Sequence, residues 1–205
     1  MWSRRDHWDA IYRDRDPTEV SWYQANPARS LILIEETGIP AEAAIIDIGG
    51  GTSRLVDRLL DLGYSQLTVL DLATAALQHA RERLGSRAGD VTWIDADVLE
   101  HPFENRYALW HDRAVFHFLT RPDERVAYVA KLQSAVMPGG HVIIATFGPD
   151  GPERCSGLPV QRHDAHSLTA ALGPEFEPVG FHKEGHRTPS GGRQHFVYGR
   201  FRRAP

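Results

Sequence analysis

Ala44-Ile45-Ile46-Asp47-Ile48-Gly49-Gly50-Gly51-Thr52-Ser53 is the stretch from which the fold of this chain is read. Its first half is a short apolar, β-branched run of the kind that forms a buried strand. Its second half puts three glycines where a strand turns sharply into a helix and where a ligand approaches bare backbone. Downstream, Leu55, Val56, Leu59, Leu60 and Leu62 fall on one helical face, and Gly63 stops that helix. The pattern then recurs. Residues 67–70 read as a second strand ending at Asp71, followed by a helix through Ala75, Ala76, Leu77, Ala80 and Leu84 to Gly85. Residues 91–94 and 107–110 read as two further strands. A helix carrying Val126, Val129, Ala130, Leu132, Val136 and Met137 is predicted to end at Pro138-Gly139-Gly140, before a fifth strand over 141–147. Alternating strands and helices imply a mostly parallel sheet with helices on both faces. The last quarter departs from this: 177–181 and 195–201 are strand-like, and Thr188-Pro189-Ser190-Gly191-Gly192 joins them as an antiparallel hairpin.

With 205 residues, 41% of them hydrophobic, the chain reads as one domain that needs no metal or disulfide staple. Cys155 is the only cysteine, which excludes an intramolecular disulfide and a cysteine-cluster zinc site. The net charge of −4 arises because residues 1–149 are acidic while the last quarter tips slightly basic. Arg200, Arg202 and Arg203 form only a short tail, without the basic, aromatic-studded stripe of a nucleic-acid binder. No run approaches the ~20 apolar residues of a membrane span. The expectation is a cytoplasmic protein without nucleic-acid or membrane partners.

The glycine loop narrows the ligand. In the dinucleotide fingerprint G-x-G-x-x-G the third glycine lets helix and strand pack closely, but counted from Gly49 that position is Arg54. The G-x-x-x-x-G-K-[ST] of a phosphate loop is missing too. Asp47, immediately before the glycines, would repel a pyrophosphate but suits an ammonium or sulfonium group. Asp71 lies 20 residues after Gly51, at a strand end, placed to accept hydrogen bonds from both hydroxyls of a ribose.

Asp47 through Ser53, then Asp71, Asp97 and Asp112, and then Pro138-Gly139-Gly140, make residues 40–148 resemble a class I S-adenosylmethionine-dependent methyltransferase. With Val20-Ser21-Trp22-Tyr23, the glycine loop is similar to the branch that includes eukaryotic protein-lysine methyltransferases and their bacterial relatives. Gly50 stands where that branch often has Cys, and Ser53 where many class I enzymes have a third glycine. The resemblance implies a Rossmann-like α/β fold with a mostly parallel seven-stranded sheet and a C-terminal antiparallel hairpin. It implies S-adenosylmethionine as cofactor and S-adenosylhomocysteine as product. Asp47, Gly49, Gly50 and Gly51, with Ser53, would hold the methionine part. Asp71 would take the ribose, Leu72 would pack on adenine, and Asp97 with Val98 would meet the adenine amino edge. His111, Asp112 and Arg113 would lie where cofactor and acceptor meet, Asp112 and Arg113 as cofactor contacts.

Methyl transfer is an in-line displacement, so alignment is the protein's main task. A hydroxyl or ammonium acceptor must also lose a proton, and His111, His117, Asp112 and Tyr23 are the candidates to take it. His117 reads equally well as a core histidine. Trp22, Tyr23, Phe147, Arg154 and Arg162 are expected to build the acceptor pocket, with the Gly- and Pro-rich segment 147–159 as its loop. Arg154, Arg162, His163, Lys183, Arg187 and Arg193 read either as an anion-attracting rim or as plain surface. No metal site is expected: His182 and His186 are read on a loop, where their spacing does not converge. Cys155 reads as incidental. The chain divides into an N-terminal lid and substrate segment (1–40), a cofactor core (41–148) and an acceptor-side loop with the hairpin (149–205). The expected acceptor is a small molecule, the alternatives being a protein side chain or a non-catalytic cofactor-binding protein, as a monomer or homodimer.

Overall fold

The alternation of apolar runs is realised as layers in the computed structural model, which describes residues 3–205; Met1 and Trp2 of the expected lid segment lie outside the described residues. The strands are β1 (Ile45–Ile48), β2 (Leu67–Asp71), β3 (Val91–Asp95), β4 (Tyr107–Arg113), β5 (Val136–Phe147), the two-residue β6 (Arg154–Cys155) and β7 (Leu158–Pro159), β8 (Phe176–Arg187) and β9 (Arg193–Arg203). The helices are α1 (Arg4–Asp14), α2 (Ala28–Glu35), α3 (Leu55–Asp61), α4 (Thr74–Leu84), α5 (Pro122–Ala135) and α6 (Ala165–Leu172). Seven strands pair in the order β3-β2-β1-β4-β5-β9-β8, and β6 and β7 form a separate hairpin. β9 runs antiparallel to both of its neighbours, whereas β1 to β5 are mutually parallel. This is the seven-stranded sheet with a C-terminal antiparallel pair that the sequence implies.

Period-two alternation divides the strand side chains between two cores. Ile45, Leu67, Val69 and Leu109 pack with α2, α3 and α4, while Ile46, Ile48, Trp110 and Ile144 pack with α5 and α6. Several boundaries differ from expectation. The fifth helix stops at Ala135, and β5 takes over at Val136, which pairs with Tyr107 before Met137 to Gly140 bulge out and His141 resumes the ladder opposite Leu109. β4 continues past Trp110 through His111, Asp112 and Arg113. β8 and β9 are roughly twice their expected length, so His182 and His186 stand in a strand and not in a loop. α1, α2 and α6 are additions. No helix among the described residues is long and apolar enough to cross a membrane.

Candidate active site

The sheet order reverses between β1 and β4, and such a switch point leaves a crevice beyond the carboxyl ends of the strands. A cavity of about 110 Å³ opens there, lined by Ile48 and Gly49 after β1, Asp71 and Leu72 after β2, Ala96, Asp97 and Val98 after β3, and Arg113, Ala114 and Val115 after β4. A recess of about 40 Å³ adjoins it, lined by Tyr23, Gln24, Pro27, Ser30, Asp47, Gly50, Thr52, Ser53 and His111. Tyr12, Trp22, Ile48, Gly49 and Arg113 border both.

The glycines are required by shape. Gly49 has φ +64°, and a Cβ there would lie 2.1 Å from Val115 Cγ2. A Cβ on Gly50 would lie 2.6 Å from Asp47 Oδ2. Asp47 bonds His111 through Oδ1 alone, and its Oδ2 is buried without a partner. Across the recess Arg113 donates from Nε to the Tyr198 hydroxyl (3.0 Å) and from Nη1 to the Trp22 carbonyl (2.9 Å), its guanidinium lying over Phe196. Arg113 Nη2 is buried and also lacks a partner. Asp71 accepts from the Ala73 amide at 2.8 Å, and burial, with Asp47 and Asp95 adding repulsion, pushes its carboxyl up to about 7. Asp97 turns its own loop by accepting from the Leu99 amide at 2.8 Å.

Strand alternation separates the remaining candidates. Register places His111 beside Asp47, both toward α2, where Ser30 meets the imidazole. Asp112 points through the sheet to the α5 side. It is fully buried and accepts from the Val115 and Phe116 amides and from the Tyr128 hydroxyl at 2.5 Å. Asp112 lines neither cavity, so its expected contact with cofactor and acceptor is replaced by a structural one: it folds the turn that delivers Ala114 and Val115. Burial raises its carboxyl to about 6. His117 is a core histidine, sealed between Phe118 and Phe147 and accepting from the Phe147 amide at 3.3 Å. Burial, then the Arg113 charge, holds it down to about 3, which keeps it neutral.

The expected acceptor pocket is brought together only in part. Trp22 and Tyr23 reach the cleft. Phe147 is 1% exposed in the core against Phe196. Arg154 bonds the Gly157 carbonyl, and Arg162 pins the loop through the Pro149 and Gly151 carbonyls and Glu153. Both arginines staple the segment after β5 and stay out of the cleft; from that segment only Cys155 lines the cavity, its thiol pushed up to about 11 by burial.

Sequence reasoning expected a lid within residues 1–40 but named none of the residues of its first helix that form the roof. Arg4, Trp8 and Tyr12 recur every four residues on α1 and cover the cavity with Phe118 and Leu119. Trp8 meets Trp22 edge-on at 5.7 Å and Phe118 at 5.1 Å. Ser3 and Asp6 form a capping box that starts this helix, a signal present in the sequence. Ala114, at φ +73°, is a strained residue at the cavity wall.

Residues 45–140 match the family described as "Methyltransferase domain". Malonyl-[acyl-carrier protein] O-methyltransferase of Anoxybacillus flavithermus is 34% identical over 106 residues, which are 51% of this chain and 39% of that protein. The eEF1A lysine and N-terminal methyltransferase of Danio rerio is 28% identical over 103 residues, 50% of this chain and 15% of that protein. The chain thus spans less than half the length of these relatives. A solved structure described as "Conversion of a Disulfide Bond into a Thioacetal Group during Echinomycin Biosynthesis" superposes with a TM-score of 0.80 at 22% identity, covering 98% of this chain and 92% of its own.

Proposed function

We propose that the chain is a class I S-adenosylmethionine-dependent methyltransferase that methylates a small-molecule acceptor and releases S-adenosylhomocysteine. The observation that carries this reading is the pair of oppositely charged, unpartnered buried atoms in the recess, Asp47 Oδ2 and Arg113 Nη2. Buried charges without partners are costly, and an amino-acid zwitterion supplies one ammonium and one carboxylate. The recess therefore fits the methionine end of the cofactor, with Gly50 bare because a Cβ there would press on Asp47 Oδ2. Asp71 then takes the ribose, Leu72 and Val98 flank adenine, Asp97 meets its amino edge, and Ser53 holds the loop by accepting from the Leu55 amide.

When bound, S-adenosylmethionine supplies a methyl group on a sulfonium, which an acceptor lone pair displaces while sulfur leaves as a neutral thioether. The residues of this chain bind, orient and exclude water. Trp8, Trp22, Phe118 and Leu119 give the cavity an apolar wall, Tyr23 borders the recess, and α1 closes over them. An apolar, roofed cavity suits a small acceptor better than an extended peptide. The names of the relatives include carrier-bound and protein substrates, which makes a protein side chain the second reading. We place the protein in the cytoplasm, as a monomer or homodimer.

Incubation with methyl-labelled S-adenosylmethionine and a bacterial extract separated by size tests the acceptor class. Label in the low-molecular-weight fraction is expected. Label confined to precipitable protein would establish the second reading, and cofactor binding without transfer to any fraction would argue for a non-catalytic binding protein.

A further inference from the structure

Ser30, His111 and Asp47 form a continuous hydrogen-bonded line along one wall of the recess, each at most 5% exposed. The parallel register of β1 and β4 sets Asp47 beside His111, and α2 brings Ser30 down onto the imidazole. His111 Nδ1 lies 2.7 Å from Asp47 Oδ1, and His111 Nε2 lies 2.9 Å from Ser30 Oγ. Nδ1 faces the Asp47 carboxylate as donor, and Nε2 shares a hydrogen bond with the Ser30 hydroxyl. With both ring nitrogens engaged, His111 is not a free base for the acceptor, contrary to expectation. What the line does instead is restrain the Asp47 carboxylate. Oδ1 is tied, rotation about the Cβ–Cγ bond is blocked, and Oδ2 is left buried, unpartnered and held 2.6 Å from where a Gly50 side chain would begin.

We infer that His111, itself oriented by Ser30, is a positioning residue that fixes Asp47 Oδ2 to receive the ammonium of the cofactor's methionine end. The inference rests on the cofactor reading above and adds to it two residues, on α2 and β4, that do not touch the ligand's nucleoside. A carboxylate prevented from rotating loses no side-chain entropy on binding and is not required to break a competing bond first. The recognition is thus confined to one end of the ligand.

Two probes separate this role from a general structural one. S-adenosylhomocysteine carries the amino-acid end, and 5′-methylthioadenosine has the same nucleoside and sulfur without it. By calorimetry His111→Phe, which removes both bonds, is expected to weaken S-adenosylhomocysteine roughly tenfold or more, as the loss of a charge-assisted bond does. His111→Asn, whose amide still donates to Asp47, is expected to recover most of that loss, and Ser30→Ala to lose a few-fold. Affinity for 5′-methylthioadenosine is expected to be unchanged in all three. Equal weakening of both ligands, or of neither, would overturn the inference. Should His111→Phe fail to fold, Ser30→Ala carries the same comparison. If the wild-type protein bound neither ligand, the cofactor reading itself would fall; if it bound only 5′-methylthioadenosine, the methionine-end assignment alone would.

Discussion

Burial, reinforced by Asp47 and Asp95, raises the Asp71 carboxyl to about 7, whereas an aspartate in the unfolded chain titrates near 3.9. The folded protein therefore holds this proton more tightly than the unfolded chain, and stability contributed by the protonated form declines as pH rises from about 4 through about 7. Asp71→Asn keeps a neutral side chain across that window. It is expected to melt higher than wild type at pH 8, by roughly 2–4 °C for each kcal/mol released, and to bind S-adenosylhomocysteine more weakly. Thermal melts at pH 5 and pH 8 check the sign: the advantage of the variant should shrink at the lower pH. Asp112 makes the opposite prediction. Its oxygens fold the turn after β4, and Asn retains an acceptor for the Val115 and Phe116 amides. Asp112→Asn is expected to keep both cofactor affinity and the methyl-transfer rate within a few-fold, whereas loss of a general base costs about 10²–10⁴ in rate. Asp47 and Asp71 are legible in the sequence because each follows a run of apolar residues, and Asp97 because it comes just after a third such run. The different fates of His111 and Asp112 are not, because the apolar run stops at Trp110; alternation reads them correctly only once β4 is known to continue to Arg113.

Among the elements, the glycine loop is held from outside by a single side chain. Arg83 on α4 donates to the Thr52 and Ser53 carbonyls at 2.9 and 2.7 Å and pairs with Asp57 on α3 through Nε and Nη2 at 3.1 and 2.8 Å. It thus ties the turn after β1 to two helices and satisfies carbonyls that the sharp turn leaves over. Arg83→Met retains the stem and removes these bonds. It is expected to lower the melting temperature and weaken S-adenosylhomocysteine and 5′-methylthioadenosine together, since the whole loop loosens. Melting curves and parallel titrations measure both effects. Arg83 is invisible to motif reading, because a lone arginine on an amphipathic helix looks like a solvated charge. α1 escapes for a related reason: its buried face is Trp8 and Tyr12 among charges, without the aliphatic stripe by which helices are recognised. Its polar ties to the rest run from Arg5 to Asp95, from the Ala75 amide to Asp9 and from His79 to the Tyr12 carbonyl. Met137 to Gly140 mislead in the other direction, since a Pro-Gly-Gly that reads as a helix stop forms a bulge inside a ladder.

At the scale of the whole molecule, charge is distributed by function on one side and by structure on the other. The acids at the ends of β1, β2 and β3 converge on the switch point and suit a cationic nucleoside. The basic end spends part of its charge on the scaffold: of the residues read as an anion-attracting rim or plain surface, Arg162 pairs with Glu153, and of the basic tail Arg200 pairs with Glu36 and Arg203 with Glu175. Arg113 is different, with neutral hydrogen-bond partners, a Phe196 ring under its guanidinium and one nitrogen left for a ligand. These placements suit an adenosine carrying an amino-acid tail, and a direct titration of S-adenosylhomocysteine into the wild-type protein tests that reading. Saturable binding at one site per chain is expected, with no heat from NADH under the same conditions. Folded protein that takes up no S-adenosylhomocysteine at millimolar concentration, or that binds NADH in its place, would contradict it.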